Sequence, residues 1–185
     1  MCGIVSYYGK KDSVPFLING LRRLEYRGYD SAGIALMEDG SIKAVKKAGK
    51  VDELDKKIKE FPIKGHIGIA HTRWATHGEP NDINAHPHQD KSGKIFLIHN
   101  GIIENYSTLK EVLIRKGFQF KSQTDTEVLP HLFMKYIKLG NNLLQAGRLV
   151  LKDIRGAFAF VAMSLDFPDQ LFVSRNSSPL AIGIG

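Results

Sequence analysis

Two strand-like segments separated by a tight turn restrict the fold of this chain more than any other feature. Residues 32–37 (AGIALM) and 42–48 (IKAVKKA) flank Asp39-Gly40, and an Asp-Gly pair in that setting is a strong β-hairpin signal. Further strands are predicted at 2–8, 66–71, 94–100, 118–121, 156–164 and 170–175. Because strands pair through short turns at both ends of the chain, the pattern favours antiparallel sheets over a βαβ series.

Helical periodicity separates these strands. Residues 13–26 have apolar side chains at spacings of three and four, namely Val14, Leu17, Ile18, Leu21 and Leu24. Similar patterns predict helices at 51–61, 106–117, 126–140 and 142–154. The sequence therefore predicts an α+β fold in which helical layers cover antiparallel sheets. The final segment, 177–185 (SSPLAIGIG), is also strand-like, and its abrupt end suggests that the domain continues past residue 185.

Composition narrows the class of protein. A chain of 185 residues that is 43% hydrophobic can bury the core of one domain. Its single cysteine excludes an intrachain disulfide and favours the cytoplasm, and no apolar run approaches the ~20 residues that cross a bilayer. The net charge of +7 raises nucleic acid as a partner, but the lysines are scattered and no basic run alternates with aromatic residues. We expect neither a membrane nor a nucleic-acid partner.

The single thiol, Cys2, follows the initiator methionine directly. Removal of Met1 would leave a free α-amine, with a pKa of about 7.7–8.0, on the same residue as the most nucleophilic common side chain. Such a residue carries a nucleophile and its general base together. A buried, inert cysteine in a first strand is an equally good interpretation of position alone.

The segment 71–80 (HTRWATHGEP) opens a long stretch without a regular pattern. It contains Arg73, Trp74, Thr76 and His77, which supply a guanidinium, an indole, a hydroxyl and an imidazole. Arginine is the usual partner of a carboxylate, because its planar fork donates two parallel hydrogen bonds. Long loops of this kind are often functional, although an ordinary polar loop is the alternative.

Asn100-Gly101 admits two interpretations. Flanked by apolar residues, the pair is typical of a hairpin turn. Alternatively, the Asn100 amide and the Gly101 N–H form an oxyanion hole, since glycine lets the backbone approach a ligand closely. Spacing alone does not decide between them.

Residues 124–127 (TDTE) are most simply explained as a helix start. Thr124 and Glu127 have the spacing of a capping box, and Asp125 would favour the positive end of the helix dipole. From that position Asp125 could also bind a substrate ammonium. The local pattern favours capping.

All seven histidines lie between residues 66 and 131, but no metal-site spacing is present. The chain lacks a His-Glu-x-x-His motif and any cysteine pair at ligand spacing. We interpret the histidines as hydrogen-bonding residues that order loops, and we expect no metal.

Together these segments resemble one family. They are MCGIV at 1–5, LEYRGYDSAG at 24–33, HTRWATHGEPND at 71–82, NAHPH at 84–88, HNGIIEN at 99–105 and TDTE at 124–127. Their order and spacing are similar to those of class II glutamine amidotransferase domains, which are N-terminal-nucleophile hydrolases. Within that class, EYRGYDSAG and the tryptophan of HTRWATHG look most like the glutaminase domain of the isomerizing glutamine–fructose-6-phosphate aminotransferases.

The resemblance assigns roles to the candidate residues. Cys2 would be the nucleophile, with Asn100 and Gly101 as the oxyanion hole. Arg73 would hold the α-carboxylate of L-glutamine and Asp125 its ammonium. The remaining matches would line the substrate pocket or gate the passage of ammonia, namely Thr76, His77 and Arg27 for the first role and Trp74 for the second.

The resemblance also implies a fold, partners and a reaction that needs no metal or organic cofactor. The fold would be a four-layer αββα sandwich of two antiparallel sheets, spanning residues 1–185 as one glutamine amidotransferase type-2 domain truncated at its C-terminal end. The sugar-phosphate isomerase domains of the family are absent from this chain, and in the full-length enzyme we expect a homo-oligomer. The alternatives are the glutaminase domain of another class II amidotransferase and a glutamine-binding module without catalysis.

Overall fold

The computed structural model describes residues 2–75 and 78–185, so Met1, Thr76 and His77 lie outside the described residues. Within them the strands form two four-stranded antiparallel sheets. The first sheet has the order β1-β4-β2-β3, with β1 at Gly3–Tyr8, β2 at Ser31–Glu38, β3 at Ser41–Ala48 and β4 at Ile67–Arg73. The second has the order β5-β6-β7-β8, with β5 at His88–Gln89, β6 at Ile95–Gly101, β7 at Phe158–Ser164 and β8 at Phe167–Asn176.

Helices cover the outer face of each sheet. In the described chain they are α1 at Val14–Leu24, α2 at Val51–Glu60, α3 at Tyr106–Arg115, α4 at Val128–Ile137 and α5 at Leu143–Asp153. Helices α1 and α2 share a core with the first sheet, and α4 and α5 share one with the second. A third core lies between the sheets, where Ile69 of the first meets Ile98 and Val161 of the second. The predicted four-layer αββα sandwich is therefore confirmed.

The predicted hairpin between β2 and β3 is present. Asp39 and Gly40 have φ values of 44° and 71°. Positive φ at both central residues is the signature of a type I′ turn, whose twist matches that of the flanking strands.

Two predicted strands are wrong. Residues 118–121 form no strand; instead Phe118 and Phe120 pack edge-on against the ring of His131 in α4, at centroid distances of 5.4 and 4.6 Å. Residues 177–185 form no strand either, and Ile184 is fully exposed. Both segments have the composition of a strand but belong to neither sheet of the described chain, and Ser177 forms no more than an isolated bridge with Phe158. Conversely, the sequence does not predict β5, because its two residues are too few to show an alternating pattern of apolar and polar side chains.

None of the helices in residues 2–75 and 78–185 has the length and apolar character needed to cross a membrane.

Candidate active site

Cys2 is placed by the pairing of β1 with β4. Gly3 lies opposite Thr72, so the residue before β1 falls beside the end of β4. There the Cys2 Sγ accepts the backbone N–H of Trp74 at 3.2 Å. Burial raises the pKa of the Cys2 thiol, while the Trp74 N–H and the charge of Arg73 act in the opposite direction. The half-buried sulfur is thus held near two groups that favour its thiolate form.

Asn100 and Gly101 end strand β6 and do not form a hairpin turn. They pair with Ala159 and Phe158 of β7, and the chain continues toward α3 instead of returning as the next strand. The hairpin interpretation is therefore wrong. Gly101 has a φ of +117°, and a Cβ there would lie 2.0 Å from the carbonyl oxygen of Ala157. Only glycine fits this position.

The ends of β1 and β6 meet across the two sheets. Asn100 Nδ2 donates to the carbonyl oxygen of Cys2 at 3.0 Å. The two residues are 98 positions apart in the sequence, so the fold creates this contact. A side-chain amide that can donate a hydrogen bond therefore lies next to the residue that carries the thiol.

Arg73 is the last residue of β4 and is only 4% exposed. Its guanidinium donates to the carbonyl oxygens of Gly78 and Glu79, at 3.2 and 3.3 Å. Burial lowers its pKa, while nearby Cys2, Asp30 and Asp125 act to raise it. Because arginine keeps its charge even when its pKa falls, the site contains a buried cation.

The loop after Arg73 is anchored by Lys46 of β3. Its Nζ donates to the carbonyl oxygens of Ile83 and Ala85, at 3.2 and 2.7 Å. Burial lowers the pKa of Lys46 to about 8. In the same loop, Asn84 Nδ2 donates to the carbonyl oxygen of Glu79, the residue that Arg73 also contacts. Lys46 could not be predicted from the sequence, because it lies among several lysines without a distinguishing pattern.

Asp125 lies in a 3₁₀ turn at Asp125–Glu127 that leads into α4. Its Oδ2 accepts the backbone N–H of Ile103 at 2.7 Å, two residues after Gly101. The side chain is 8% exposed, and its charge acts on both Arg73 and His99. The structure therefore brings the predicted carboxylate and guanidinium to one end of the sandwich.

The predicted capping box at residues 124–127 is wrong. Within the described chain Thr124 makes no side-chain cap; its Oγ1 lies 3.0 Å from both Ser122 Oγ and His88 Nε2. The carboxylate of Glu127 instead accepts the N–H groups of Lys121 and Ser122 and the Ser122 hydroxyl, at 2.6–3.1 Å. Glu127 thus binds the segment before Asp125 rather than the helix start.

Trp74 and Arg27 both line the cavity that adjoins Cys2. The indole is 43% exposed and packs edge-on against Tyr29, with ring centroids 5.4 Å apart. The backbone of Trp74 also approaches Gly28, where a Cβ would lie 2.8 Å from the carbonyl carbon of Arg73. The motif at 24–33 therefore supports the segment after β4 from one side.

Asp30 is a residue of that motif whose function the sequence analysis did not assign. Its Oδ2 accepts the backbone N–H of Ala75 at 2.7 Å, and its own N–H donates to the carbonyl oxygen of Arg73 at 3.0 Å. Two hydrogen bonds thus fix the direction of the chain where Trp74 follows β4. The aspartate of the YRGYDS segment is the sequence feature from which this role could have been predicted.

The cavity has a volume of about 1330 Å³ and opens beside residues 178–183. Cys2, Arg27, Trp74, Asn100 and Gly101 line it, so the structure gathers five of the predicted residues around one space. Arg73 and Asp125 are buried and are not among the residues that line it. Thr76 and His77 lie outside the described residues, and their predicted roles are untested by the geometry.

The predicted loop-ordering role of the histidines is wrong for four of them. His71, His88 and His99 lie on strands β4, β5 and β6, and His131 lies on α4. His86 does lie in the long loop, where its Nε2 is hydrogen-bonded to Thr126 Oγ1 at 3.0 Å. No group of histidine, cysteine and carboxylate side chains in the described ranges is arranged to hold a metal ion.

Comparison with known proteins gives a consistent match. A family model described as a glutamine amidotransferase domain matches residues 71–183. The glutamine–fructose-6-phosphate aminotransferases (isomerizing) of Pyrococcus horikoshii and Bacteroides thetaiotaomicron are 51% and 54% identical to the whole chain, which covers 31% and 30% of their lengths. The chain thus spans less than a third of these curated relatives.

Solved structures agree with the sequence comparison. The glutamine phosphoribosylpyrophosphate amidotransferase of B. subtilis, complexed with ADP and GMP, superposes with a TM-score of 0.75 at 30% identity; the match covers 89% of this chain and 35% of that one. A class-II glutamine aminotransferase domain protein from Silicibacter pomeroyi has a TM-score of 0.56 at 16% identity, covering 97% and 78%. At that identity the second match supports the fold alone.

Proposed function

Because this chain belongs to the glutamine amidotransferase domain family, we propose that it hydrolyses the side-chain amide of L-glutamine to glutamate and ammonia. The observation that carries the proposal is the contact between the ends of β1 and β6. At this end of the sandwich the sulfur of Cys2 accepts a backbone N–H, and the carbonyl oxygen of Cys2 accepts the Asn100 amide. A nucleophile beside hydrogen-bond donors is the arrangement that acyl transfer requires.

The first half of the proposed reaction forms a thioester. After removal of Met1, the α-amine of Cys2 takes the thiol proton, and the sulfur bonds to the amide carbon of glutamine. The carbonyl π electrons move to oxygen, where Asn100 Nδ2 and the Gly101 N–H donate to the oxyanion. The oxyanion then collapses, the C–N bond breaks, and the nitrogen takes the proton from the Cys2 ammonium and leaves as ammonia.

The second half regenerates the thiol. The α-amine of Cys2 deprotonates a water molecule, whose oxygen attacks the γ-glutamyl thioester. The same donors hold the second oxyanion, which collapses as the C–S bond breaks. Glutamate is released, and the sulfur takes back the proton from the Cys2 ammonium. The cycle thus uses one residue as both nucleophile and base, and its balance needs only water.

Substrate recognition is proposed to use the buried charges. Arg73 would donate to the α-carboxylate of glutamine, and Asp125 would accept from its α-ammonium. Opposite charges at fixed positions select an amino acid over a simple amide. Arg27, which lines the cavity, and Thr76 and His77, which lie outside the described residues, are proposed to complete the pocket.

The ammonia is proposed to serve glucosamine 6-phosphate synthesis from fructose 6-phosphate, as the names of the aminotransferase relatives suggest. The acceptor site would lie in the sugar-phosphate isomerase part, which these residues do not include. Trp74, exposed at the cavity beside Cys2, is proposed as the gate for ammonia. Assembly of the full-length enzyme as a homo-oligomer stays part of this proposal.

Glutamate release from L-glutamine tests the proposal, with ammonia measured in parallel. We expect Cys2→Ala to lower the rate by about 10³-fold or more, because nothing else in the proposed mechanism forms the thioester. Cys2→Ser is the matched variant that keeps a hydroxyl at the same position, and we expect little activity from its weaker nucleophile. Equal rates for wild type and Cys2→Ala would disprove catalysis by this residue.

The amine-base role needs a separate measurement. Protein whose intact mass shows Met1 retained is expected to be nearly inactive, whereas the same chain after methionine removal is active. Full activity with Met1 in place would refute the role of the Cys2 amine while leaving the role of its sulfur intact.

A further inference from the structure

His71 makes contacts that the proposed chemistry has not used. It lies in the middle strand β4, is completely buried, and is two residues before Arg73. Its Nε2 is 2.9 Å from Asn100 Oδ1 and 3.1 Å from the carbonyl oxygen of His99. A residue of the first sheet therefore holds the end of β6 in the second sheet.

The neighbours of Asn100 determine the orientation of its carboxamide, that is, which side carries the NH₂ group and which side the oxygen. The end nearest Cys2 faces a carbonyl oxygen at 3.0 Å, so it must be the NH₂ group. The oxygen end must then face His71. A flipped amide would place its oxygen against the carbonyl of Cys2 and lose that hydrogen bond.

The neighbours of His71 Nε2 likewise determine the tautomer of the ring. Both partners of its Nε2 are oxygen acceptors, the side chain of Asn100 and the backbone of His99. Nε2 must therefore carry the proton and donate to both, which leaves Nδ1 as a bare acceptor. Nδ1 is buried without a hydrogen-bond partner among residues 2–75 and 78–185, so nothing described there competes for the proton.

Packing keeps the His71 ring in place. The ring of His86 contacts it at a centroid distance of 4.1 Å, and His86 Nε2 is bonded to Thr126 Oγ1 at 3.0 Å. That hydroxyl also contacts His99 Nδ1 at 2.9 Å. Burial lowers the pKa of His71 to about 3, so the ring is neutral in the folded protein at ordinary pH.

We propose that His71 is a positioning residue that orients the Asn100 carboxamide, so that its NH₂ group faces the reacting carbonyl of glutamine. One N–H of that group holds the carbonyl oxygen of Cys2, and the other is left to donate to the oxyanion. The inference rests on the proposed function, because it assigns Asn100 to the oxyanion hole. It extends that function by making β4 responsible both for binding the substrate carboxylate and for aligning the oxyanion donor.

A pair of amide substitutions tests the contact. The amide nitrogen of glutamine can reach the position of His71 Nε2, whereas that of asparagine reaches only the position of Nδ1. We expect His71→Asn to lower kcat for glutamine hydrolysis about 10- to 100-fold with KM changed less than about 3-fold, since complete loss of an oxyanion donor costs about 10²–10³ in kcat. We expect His71→Gln to stay within about 3-fold of wild type in both.

A double-mutant cycle separates positioning from general damage. In an Asn100→Ala background the contact no longer exists, so adding His71→Asn should lower kcat less than about 3-fold further. Loss of the same factor in both backgrounds, or a wild-type kcat for His71→Asn, would overturn the proposal.

The tautomer provides a readout without catalysis. Imidazole ¹⁵N shifts of wild-type protein should show a protonated Nε2 and an unprotonated Nδ1 for His71, and the Asn100 side-chain N–H signals should shift in His71→Asn. A His71 protonated at Nδ1 would refute the inference even in active protein. If wild type releases no glutamate but shows the expected tautomer, the proposed function fails while the positioning contact stands. If His71→Asn does not fold, wild type and His71→Gln decide the question by the same spectra.

Discussion

At the scale of single residues, Gly101 shows how tightly this site restricts its side chains. The residue combines a φ of +117° with a Cβ position that lies 2.0 Å from the carbonyl oxygen of Ala157. Any side chain there must move the backbone of β7, the strand that pairs with Asn100 and Gly101. The geometry of the proposed oxyanion hole therefore depends on residue 101 having no side chain.

Gly101→Ala is expected to lower the free energy of unfolding by about 3 kcal/mol, because a left-handed strain of ~1–2 kcal/mol adds to a steric overlap with backbone. Gly93→Ala is the matched control, since Gly93 also has a positive φ of 69° but no atom within 4 Å of the added methyl. Its cost should stay near ~1 kcal/mol. Urea unfolding measures both, and equal losses would show that the overlap at Gly101 is relieved easily.

At the scale of elements, Glu127 joins α4 to the segment before it. Burial acts to raise the pKa of this carboxylate, but His131, the N–H groups of Lys121 and Ser122 and the Ser122 hydroxyl lower it to about 2. The folded state therefore prefers the charged form more strongly than the unfolded chain does. Glu127 thereby holds the 3₁₀ turn that presents Asp125.

Glu127→Gln is expected to cost about 2 kcal/mol at pH 7, in line with hydrogen bonds to a charged acceptor. Because the folded pKa is depressed, this stability is present above pH ~4.5 and is lost as the pH falls toward 2. The difference between wild type and variant should shrink over that range in urea unfolding. Glu111→Gln, which removes an exposed ion pair with Arg115 in α3, should change stability by less than ~0.5 kcal/mol. A pH-independent difference for Glu127→Gln would contradict this account.

At the scale of the whole molecule, four histidines are buried and held neutral, namely His71, His86, His88 and His99. Burial lowers the pKa of His71 to about 3 and that of His99 to about 4, and it lowers those of His86 and His88 well below the ordinary value. Protonating any of them would place a cation among buried groups. Unfolding exposes them to water, where they take up protons near pH 6.5.

The free energy of unfolding should therefore fall below pH 6.5, as the unfolded chain binds protons that the folded one excludes. Four histidines at about 1.4 kcal/mol per proton set an upper slope of about 5 kcal/mol per pH unit. Urea unfolding between pH 5.5 and 8 measures it. His88→Gln should lower the slope by the contribution of one proton, about 1.4 kcal/mol per pH unit. His66→Gln, at an exposed position, should leave the slope unchanged. A slope near zero would mean that the buried histidines are protonated in the folded protein.

Much of the fold could be predicted because its signals are local. The turn at Asp39-Gly40, the periodicity of α1 and α5, and the patterns of β1, β2, β3, β7 and β8 all appear within windows of a few residues. The failures at 118–121 and 177–185 have one cause. A segment with the composition of a strand forms one only when it pairs with another strand, and a short window of sequence does not show whether that partner will be present.

The sequence by itself determined the elements, the class of fold and, through its motifs, the residues Cys2, Arg73, Asn100 and Asp125 as candidates. Tertiary structure alone decided between the hairpin and the strand end at Asn100, between capping and loop binding at Glu127, and between loop and core for His71. Each of these three choices depends on partners that sheet stacking or a reversal of the chain brings close together. His71, for example, contacts Asn100, which is 29 positions away in the sequence. Because hydrogen bonds act over about 3 Å in space rather than along the chain, such choices exist only once those partners have come together.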